Sequence, residues 1–159
     1  MKYITALLSI VLVLGCIGAQ STFSGKVVAK GDHIALDYTG SFENGTVFDS
    51  SSSKGPLEFY AGQGQMIKGF DAAVIGMHVG EEKNVTIAPQ EAYGLYDARN
   101  IIEAPISSIP NNTKVGDTLY AGTQSVRVIE INSTVAVLDA NHPLAGKTLI
   151  FRIRLVKIY

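Results

Sequence analysis

Between Gly55 and Gly94 the chain reads GPLEFYAGQGQMIKGFDAAVIGMHVGEEKNVTIAPQEAYG, and the apolar residues of this stretch change period twice. Leu57 to Tyr60 is a short strand, broken by Gly62 and Gly64. Ile67, Phe70, Val74 and Met77 then recur at helical spacing, which predicts a short amphipathic helix from about Ile67 to Gly76. Gly76 and Gly80 bracket its exit, and Lys83 to Ala88 returns to strand before Pro89. No part of this pattern suggests a crossover between parallel strands, so the expected arrangement is an antiparallel sheet with one helix packed on it. The stretch carries no cysteine and none of the paired groups of a nucleophilic enzyme; what it offers to chemistry is an apolar pocket.

The flanking segments complete that sheet. His33 to Phe42 alternates, with Ile34, Leu36, Tyr38, Gly40 and Phe42 on one face and Ala35, Asp37, Thr39 and Ser41 on the other. Asn44-Gly45 suits a hairpin reversal into Val47-Phe48, and a polar, serine-rich loop runs from Asp49 to Lys54. From Leu95 to Asp139 the character changes. Short strand-like runs (Thr118 to Ala121, Ser125 to Ile131, Val135 to Asp139) are separated by turns at Asn111-Asn112, Gly122 and Asn132, as in a small all-β module. Ile101, Ile102, Ile106 and Ile109 are either exposed apolar surface on that module or its core. The last strand, Lys147 to Tyr159, turns Leu149, Phe151, Ile153 and Leu155 inward and Arg152 and Arg154 outward. If it pairs within the first sheet, the middle module is an insertion.

Composition narrows the class. At 159 residues, 47% hydrophobic and 17% charged, the chain has enough apolar material for a packed core in one domain, or in a small domain carrying an insertion. The net charge is −1 with the basic residues dispersed, so there is no nucleic-acid surface. His33, His78 and His142 are scattered, and neither a metal nor a cofactor is expected. At the start, Met1-Lys2-Tyr3 precedes an apolar run from Ile4 to Leu14, then Gly15 and Cys16, which is the anatomy of a signal peptide over residues 1–15. An uncleaved N-terminal anchor is the alternative. Val13-Leu14-Gly15-Cys16 resembles a lipobox, and Cys16, the only cysteine, is the expected lipidation site. Residues 16–30 then read as a tether with little packing demand, and the expected location is outside the cytoplasm, anchored to the outer face of the cell membrane. Asn-x-Thr sequons at Asn44, Asn84, Asn111 and Asn132 exceed the roughly one expected by chance and hint at surface glycosylation.

Tyr38-Thr39-Gly40, Val47-Phe48-Asp49-Ser50-Ser51, Pro56-Leu57-Glu58-Phe59, Met66-Ile67-Lys68-Gly69-Phe70, Val79-Gly80-Glu81 and Ala92-Tyr93-Gly94 together resemble, in order and in spacing, the FKBP-type peptidyl-prolyl isomerases. Ala92-Tyr93-Gly94-Leu95-Tyr96-Asp97 and Asn141-His142-Pro143-Leu144-Ala145-Gly146 resemble the SlyD-like branch, in which an insert-in-flap chaperone domain interrupts the isomerase domain. The resemblance implies an α+β fold, a bent antiparallel β-sheet wrapped on a short α-helix, with the isomerase domain in 31–95 and 140–159 and a small β-rich inserted domain in 96–139. It implies Tyr38, Asp49, Tyr93 and Phe151 as catalytic residues and Phe48, Leu57, Phe59, Met66, Ile67 and Phe70 as substrate-binding ones. Without it, the stripe of Ile67, Phe70, Val74 and Met77 would read as plain core. The implied function is prolyl isomerisation during the folding of exported proteins, by a monomer acting on unfolded or proline-containing polypeptides. The alternative is a non-catalytic chaperone or peptide-binding module with the same fold. Phe70 stands where many members carry tryptophan, Leu57 replaces a common aromatic, and the branch's metal-binding His- and Cys-rich tail is not found up to Tyr159.

Overall fold

The alternation from His33 to Phe42 is realised as a ten-residue strand, β1 (His33–Phe42), around which the first sheet is assembled. The computed structural model describes residues 25–159; the expected signal peptide, Cys16 and the first part of the tether lie outside the described residues. On one side β1 pairs antiparallel with β2 (Val47–Ser50) through the Asn44-Gly45 hairpin and, further along, with β3 (Leu57–Tyr60). On the other side it pairs with β9 (Leu149–Ile158), which in turn pairs with β4 (Glu82–Ile87). The five strands therefore lie in the order β2-β1-β9-β4, with β3 beside β1. Register shifts at Ala35/Leu36 and Gly40/Ser41 interrupt the ladders of β1; irregularities of this kind bend a strand and increase its twist.

The inward face matches the expected phase. Ile34, Leu36, Leu149, Phe151, Ile153 and Leu155 are buried together with Phe59, Phe70, Val74 and Met77 in one core. Ala35, expected on the solvent face, is buried as well, because β3 and β9 flank it on both sides and its methyl group is too small to clear them.

The helix α1 (Lys68–Val74) is shorter at both ends than its hydrophobic stripe suggests. Ile67 caps it with extended backbone, Ile75 has already left helical geometry, and Gly76 turns the chain at positive φ. Its lower turn is held by Asp71, whose buried carboxylate accepts the N–H groups of Gly62 (2.6 Å) and Gly64 (2.9 Å) and so ties the glycine-rich loop to the helix.

Two expectations are corrected here. The tether ends earlier than Lys30: Val28 is 1% exposed, donates to the Met77 carbonyl (2.9 Å) and accepts from the Gly76 N–H (2.8 Å), and Val27 forms a bridge with His78. Two valines between Lys26 and Lys30 are too short a run to show a period, so their packing demand was invisible in the sequence. The second correction is β5 (Ile101–Pro105), a strand where none was expected. It joins β6 (Thr118–Ala121), β7 (Gln124–Ile131) and β8 (Val135–Asp139) in a separate four-stranded sheet of order β5-β8-β7-β6, with its own small core around Val126, Val128, Ala136 and Leu138. In the chain this second sheet falls between β4 and β9, so the first sheet is completed from both sides of it. The four isoleucines divide: Ile109 packs on the second core, Ile102 and Ile106 are exposed, and Ile101 is half-buried.

Helix and sheet meet at Gly69, where an ideal Cβ would lie 2.5 Å from Ile87 Cγ2 on β4. Alanine in a helix interior normally gains up to about 1 kcal/mol over glycine, whereas forcing a methyl group into a filled contact costs roughly 1–3 kcal/mol. Gly69→Ala is therefore expected to lower the denaturant midpoint; a midpoint at or above that of the parent would show that α1 is free to move off β4.

Candidate functional site

The bend of the sheet leaves a cavity of about 110 Å³ between its inward face and the start of α1. It is lined by Tyr38, Phe48, Asp49, Leu57, Met66, Ile67, Phe70, Tyr93 and Phe151. The volume lies between the roughly 10–15 Å³ that a single water needs and the roughly 150 Å³ of an apolar cavity that takes up benzene, which is room for one small ring. Nine of the ten pocket residues expected from the sequence meet here. Phe59 does not reach the cavity: it is buried behind Phe70, with ring centroids 6.1 Å apart, and supports the floor from beneath.

Aromatic rings form the wall by edge-to-face contact. Phe70 meets Phe151 at 5.1 Å and 78°, Phe48 meets Phe151 at 5.7 Å and 89°, and Tyr38 meets Phe70 at 6.0 Å and 84°. This arrangement suits the ring quadrupoles, and each pair contributes roughly 0.5–1.5 kcal/mol beyond its buried area. Gly40 makes it possible: a Cβ there would lie 2.7 Å from Phe48 Cζ and 2.8 Å from Phe151 Cε1. The two rings occupy the space that any side chain would take.

One edge of the cavity is polar. The Tyr38 hydroxyl donates to Asp49 Oδ2 at 2.6 Å, while Asp49 Oδ1 accepts from Lys54 Nζ (2.8 Å) and from the Ser50 N–H (2.9 Å). The hydrogen bonds from Lys54 and Tyr38 hold the Asp49 carboxyl below the usual carboxylate range. Loss of water, with the adjacent carboxylate, pushes the Tyr38 hydroxyl up to about 12. The serine-rich loop fixes this pair. Buried Ser51 accepts the Tyr38 N–H (3.0 Å), its hydroxyl donates to Asp37 (3.2 Å), and its N–H donates to the Tyr38 carbonyl (3.0 Å).

Two lining residues, Tyr93 and Ile67, carry donors that no other described residue engages, the Tyr93 hydroxyl and the Ile67 N–H. Tyr93 is 40% exposed and sits in the turn after β4, where Gly94 donates to the Pro89 carbonyl (2.8 Å) and its own carbonyl accepts from Gly146 (2.8 Å). Its ring lies flat on that of His142, 4.0 Å away with planes 2° apart. His142 Nδ1 accepts the Leu144 N–H (3.1 Å), and partial loss of water holds the imidazole below its ordinary pKa. Sequence reasoning set His142 aside as one of three scattered histidines, because no periodicity reports a contact between distant turns. Its neighbour Asn141 joins the two connections to the second sheet: its side chain accepts the Asp97 N–H (3.0 Å) and donates to the Asp97 carbonyl (3.0 Å) and to Asp139 (2.8 Å).

A wider hollow of about 430 Å³ lies on the other face of the sheet, lined by Asp37, Ser52, Glu82, Arg152 and Arg154 among others. Arg152 there is engaged by Glu82 at 2.7 and 3.0 Å. An open, charged surface of this kind has nothing that would desolvate a ligand. Among the described residues no group of three or more His, Cys, Asp or Glu is placed to hold a metal ion.

Comparison with known proteins identifies the family. The family model for FKBP-type peptidyl-prolyl cis-trans isomerases matches residues 25–156. The chain is 36% identical over 146 residues to the short-type peptidyl-prolyl cis-trans isomerase of Methanocaldococcus jannaschii, covering 81% of this chain and 92% of that protein. It is 36% identical over 127 residues to the isomerase SlyD of Aeromonas hydrophila, and 37% identical over 116 residues to SlyD of Helicobacter pylori. These matches cover 77% and 69% of this chain but span only 60% and 63% of the two SlyD proteins. The chain belongs to the FKBP-type peptidyl-prolyl cis-trans isomerase family.

Proposed function

We propose that this isomerase works outside the cytoplasm as a monomer tethered by its N-terminus, through Cys16 lipidation or an uncleaved anchor. In this reading the cavity grips proline, and an insert-in-flap unit formed by the second sheet holds the unfolded chain around it. The observation that carries the site is the convergence of Tyr38, Phe48, Asp49, Leu57, Met66, Ile67, Phe70, Tyr93 and Phe151, drawn from distant parts of the chain, on one cavity sized for a small ring. The reading of the N-terminus rests on the sequence of residues 1–16. The role of the second sheet is supported by the exposed Ile102, Ile106, Val115, Tyr120 and Ile129, which give an extended polypeptide apolar surface to lie on.

The chemistry asks for little more than such a cavity. Twisting an amide out of plane costs about 18–20 kcal/mol in lost resonance, and an X–Pro bond crosses that barrier in tens to hundreds of seconds unaided. No bond is made or broken. The planar amide has the larger dipole, so a dry aromatic site disfavours it more than the twisted form, and only such a difference accelerates the reaction. Phe48, Phe70 and Phe151 hold the ring. In this reading the Tyr93 hydroxyl and, by family resemblance, the Ile67 N–H hold substrate carbonyls and so orient the rotating segment. Asp49 and Tyr38 form a fixed dipole at the edge and exchange no proton. The Asp49 carboxyl, shifted down, is ionised above the ordinary carboxylate range; the Tyr38 hydroxyl, shifted up, keeps its proton until about pH 12.

A protease-free assay with a prolyl tetrapeptide tests this. Asp49→Ala is expected to lower kcat/KM by about tenfold, corresponding to about 1.4 kcal/mol of transition-state stabilisation, and Phe151→Ala by more. Phe151 is buried, so a melting curve must accompany it, and Asp49→Ala serves where the phenylalanine variant does not fold. Folded variants with parental rates would refute the assignment of the cavity. The kcat/KM profile should be flat from about pH 7 to 9. The Asp49 contribution is lost only as the pH falls through its lowered pKa, that of neutral His142 likewise only on the acid side, and the Tyr38 contribution only as the pH rises from about 10 toward 12. His142→Ala, by removing the stack on Tyr93, should reduce kcat/KM by about two- to tenfold, mainly through KM, with His142→Phe restoring most of it. Equal loss in both variants would show that the ring acts by something other than stacking.

A further inference from the structure

The four Asn-x-Thr sequons are left unexplained by the isomerase site, and their placement in the fold is selective. Four of the seven asparagines carry threonine two residues on, with no proline between, where serine and threonine at about one residue in seven would give about one. All four asparagines are exposed. None lines the isomerase cavity. Two lie on the first sheet and its hairpin, Asn44 and Asn84, and two on the second sheet's loops, Asn111 and Asn132.

Turn chemistry accounts for part of this. Asn44 Oδ1 accepts the Thr46 N–H (3.0 Å) in the β1–β2 hairpin. Asn132 Oδ1 accepts the N–H (2.9 Å) and hydroxyl (3.0 Å) of Thr134 in the β7–β8 turn. Asn111 precedes Asn112 at φ 67° in the turn that Thr113 closes on Pro110. In each case the carbonyl side of the amide, or the backbone, makes the turn, and the side chain belongs to an exposed residue. Asn84 has no such explanation. It sits in the middle of β4, where asparagine is unfavourable, with no turn to make and no packing role. β4 ends the strand order, so one edge of its backbone is unpaired. Asn84 and Thr86 both point to the solvent face, while Val85 packs on the core and Ile87 is buried in it.

We infer that the protein is an acceptor for N-linked glycosylation at Asn44, Asn84, Asn111 and Asn132, with Asn84 the position that has no competing structural reason to be asparagine. The donor is an oligosaccharide activated on a lipid phosphate. The asparagine Nδ2 forms a bond to the anomeric carbon and the bond from that carbon to the phosphate oxygen breaks. The lipid phosphate departs with the electron pair, and the displaced amide proton is taken up by solvent. A glycan on Asn84 would cover the free edge of β4, which is otherwise a template for pairing with another chain, and all four leave the isomerase cavity open. The inference rests on export, because the transfer takes place on the outer side of the membrane.

The test is site-resolved glycopeptide mass spectrometry, with intact mass, on the full chain purified from the membrane fraction of its native host, beside Asn84→Gln and Thr86→Ala. Surface proteolysis of whole cells reports export separately. The expected result is a surface-exposed protein whose mass falls by one glycan in either variant, with kcat/KM unchanged, and whose remaining sites fall one by one on Asn→Gln substitution at Asn44, Asn111 and Asn132. Thr86→Ala keeps Asn84 itself, so a glycan lost in that variant marks recognition of the sequon. A surface-exposed protein with all four asparagines unmodified would overturn the inference while leaving the proposed location standing. A protein protected from surface proteolysis and unmodified would overturn both.

Discussion

Nine paired positions, from Ile34 with Ile158 to Phe42 with Leu149, bind β1 to β9 across almost the whole described chain. Everything at the site depends on this ladder. It places Gly40 opposite Phe151, so the gap left by the missing side chain admits that ring and Phe48 together. It also sets Tyr38 opposite Ile153, two positions along β9 from Phe151, on the face where α1 brings up Phe70. The ladder closes over a second sheet that lies between its two strands in sequence. The entropic cost of closing so long a loop grows only slowly with its length, and the second sheet carries a core of its own. An interruption of this size is therefore compatible with a site built from both ends of the chain.

The polar edge depends on a second layer of contacts. A tyrosine hydroxyl beside a carboxylate at the rim of an apolar cavity would swing out into water unless its backbone were fixed. Ser50 and Ser51 do the fixing, through bonds to the Tyr38 N–H and carbonyl. Lys54 keeps Asp49 from depending on the tyrosine alone. Asp49 thus accepts from a cation, a phenol and a backbone amide, and its negative charge is held at the polar edge of the cavity.

Much of this was legible in the sequence, and the exceptions have physical causes. β1 and β9 read correctly because each has one face in the core and one in water, so the period of two survives along ten residues. The short helix was visible from Ile67, Phe70 and Val74, but its end at Ile75 was not, since Met77 continues the buried stripe after the backbone has turned extended. β5 was missed because Ile101-Ile102-Glu103-Ala104-Pro105 neither alternates nor lacks proline. Proline is tolerated there because β5 is an edge strand, paired only with β8. The family resemblance assigns Phe59 to the cavity; the register of β3 with β1 turns it instead under Phe70. The period of β1 puts Gly40 on the inward face but does not report the space it leaves, and Ser51 and His142 carry no periodic signal at all. Their importance comes from what the fold brings against them.

His142 shows what such contacts do beyond support. It follows directly on Asn141, which binds Asp97 on the connection entering the second sheet and Asp139 at the end of β8. The backbone that ties the two connections together is thus the backbone that carries the ring stacked on Tyr93. Two consecutive residues thus join these connections to the mouth of the cavity, whereas the aromatic floor is held by α1 and β9. On the proposed reading, a polypeptide resting on the second sheet already meets the cavity at a high effective concentration. The same contact that positions the sheet would then also present the Tyr93 hydroxyl to it.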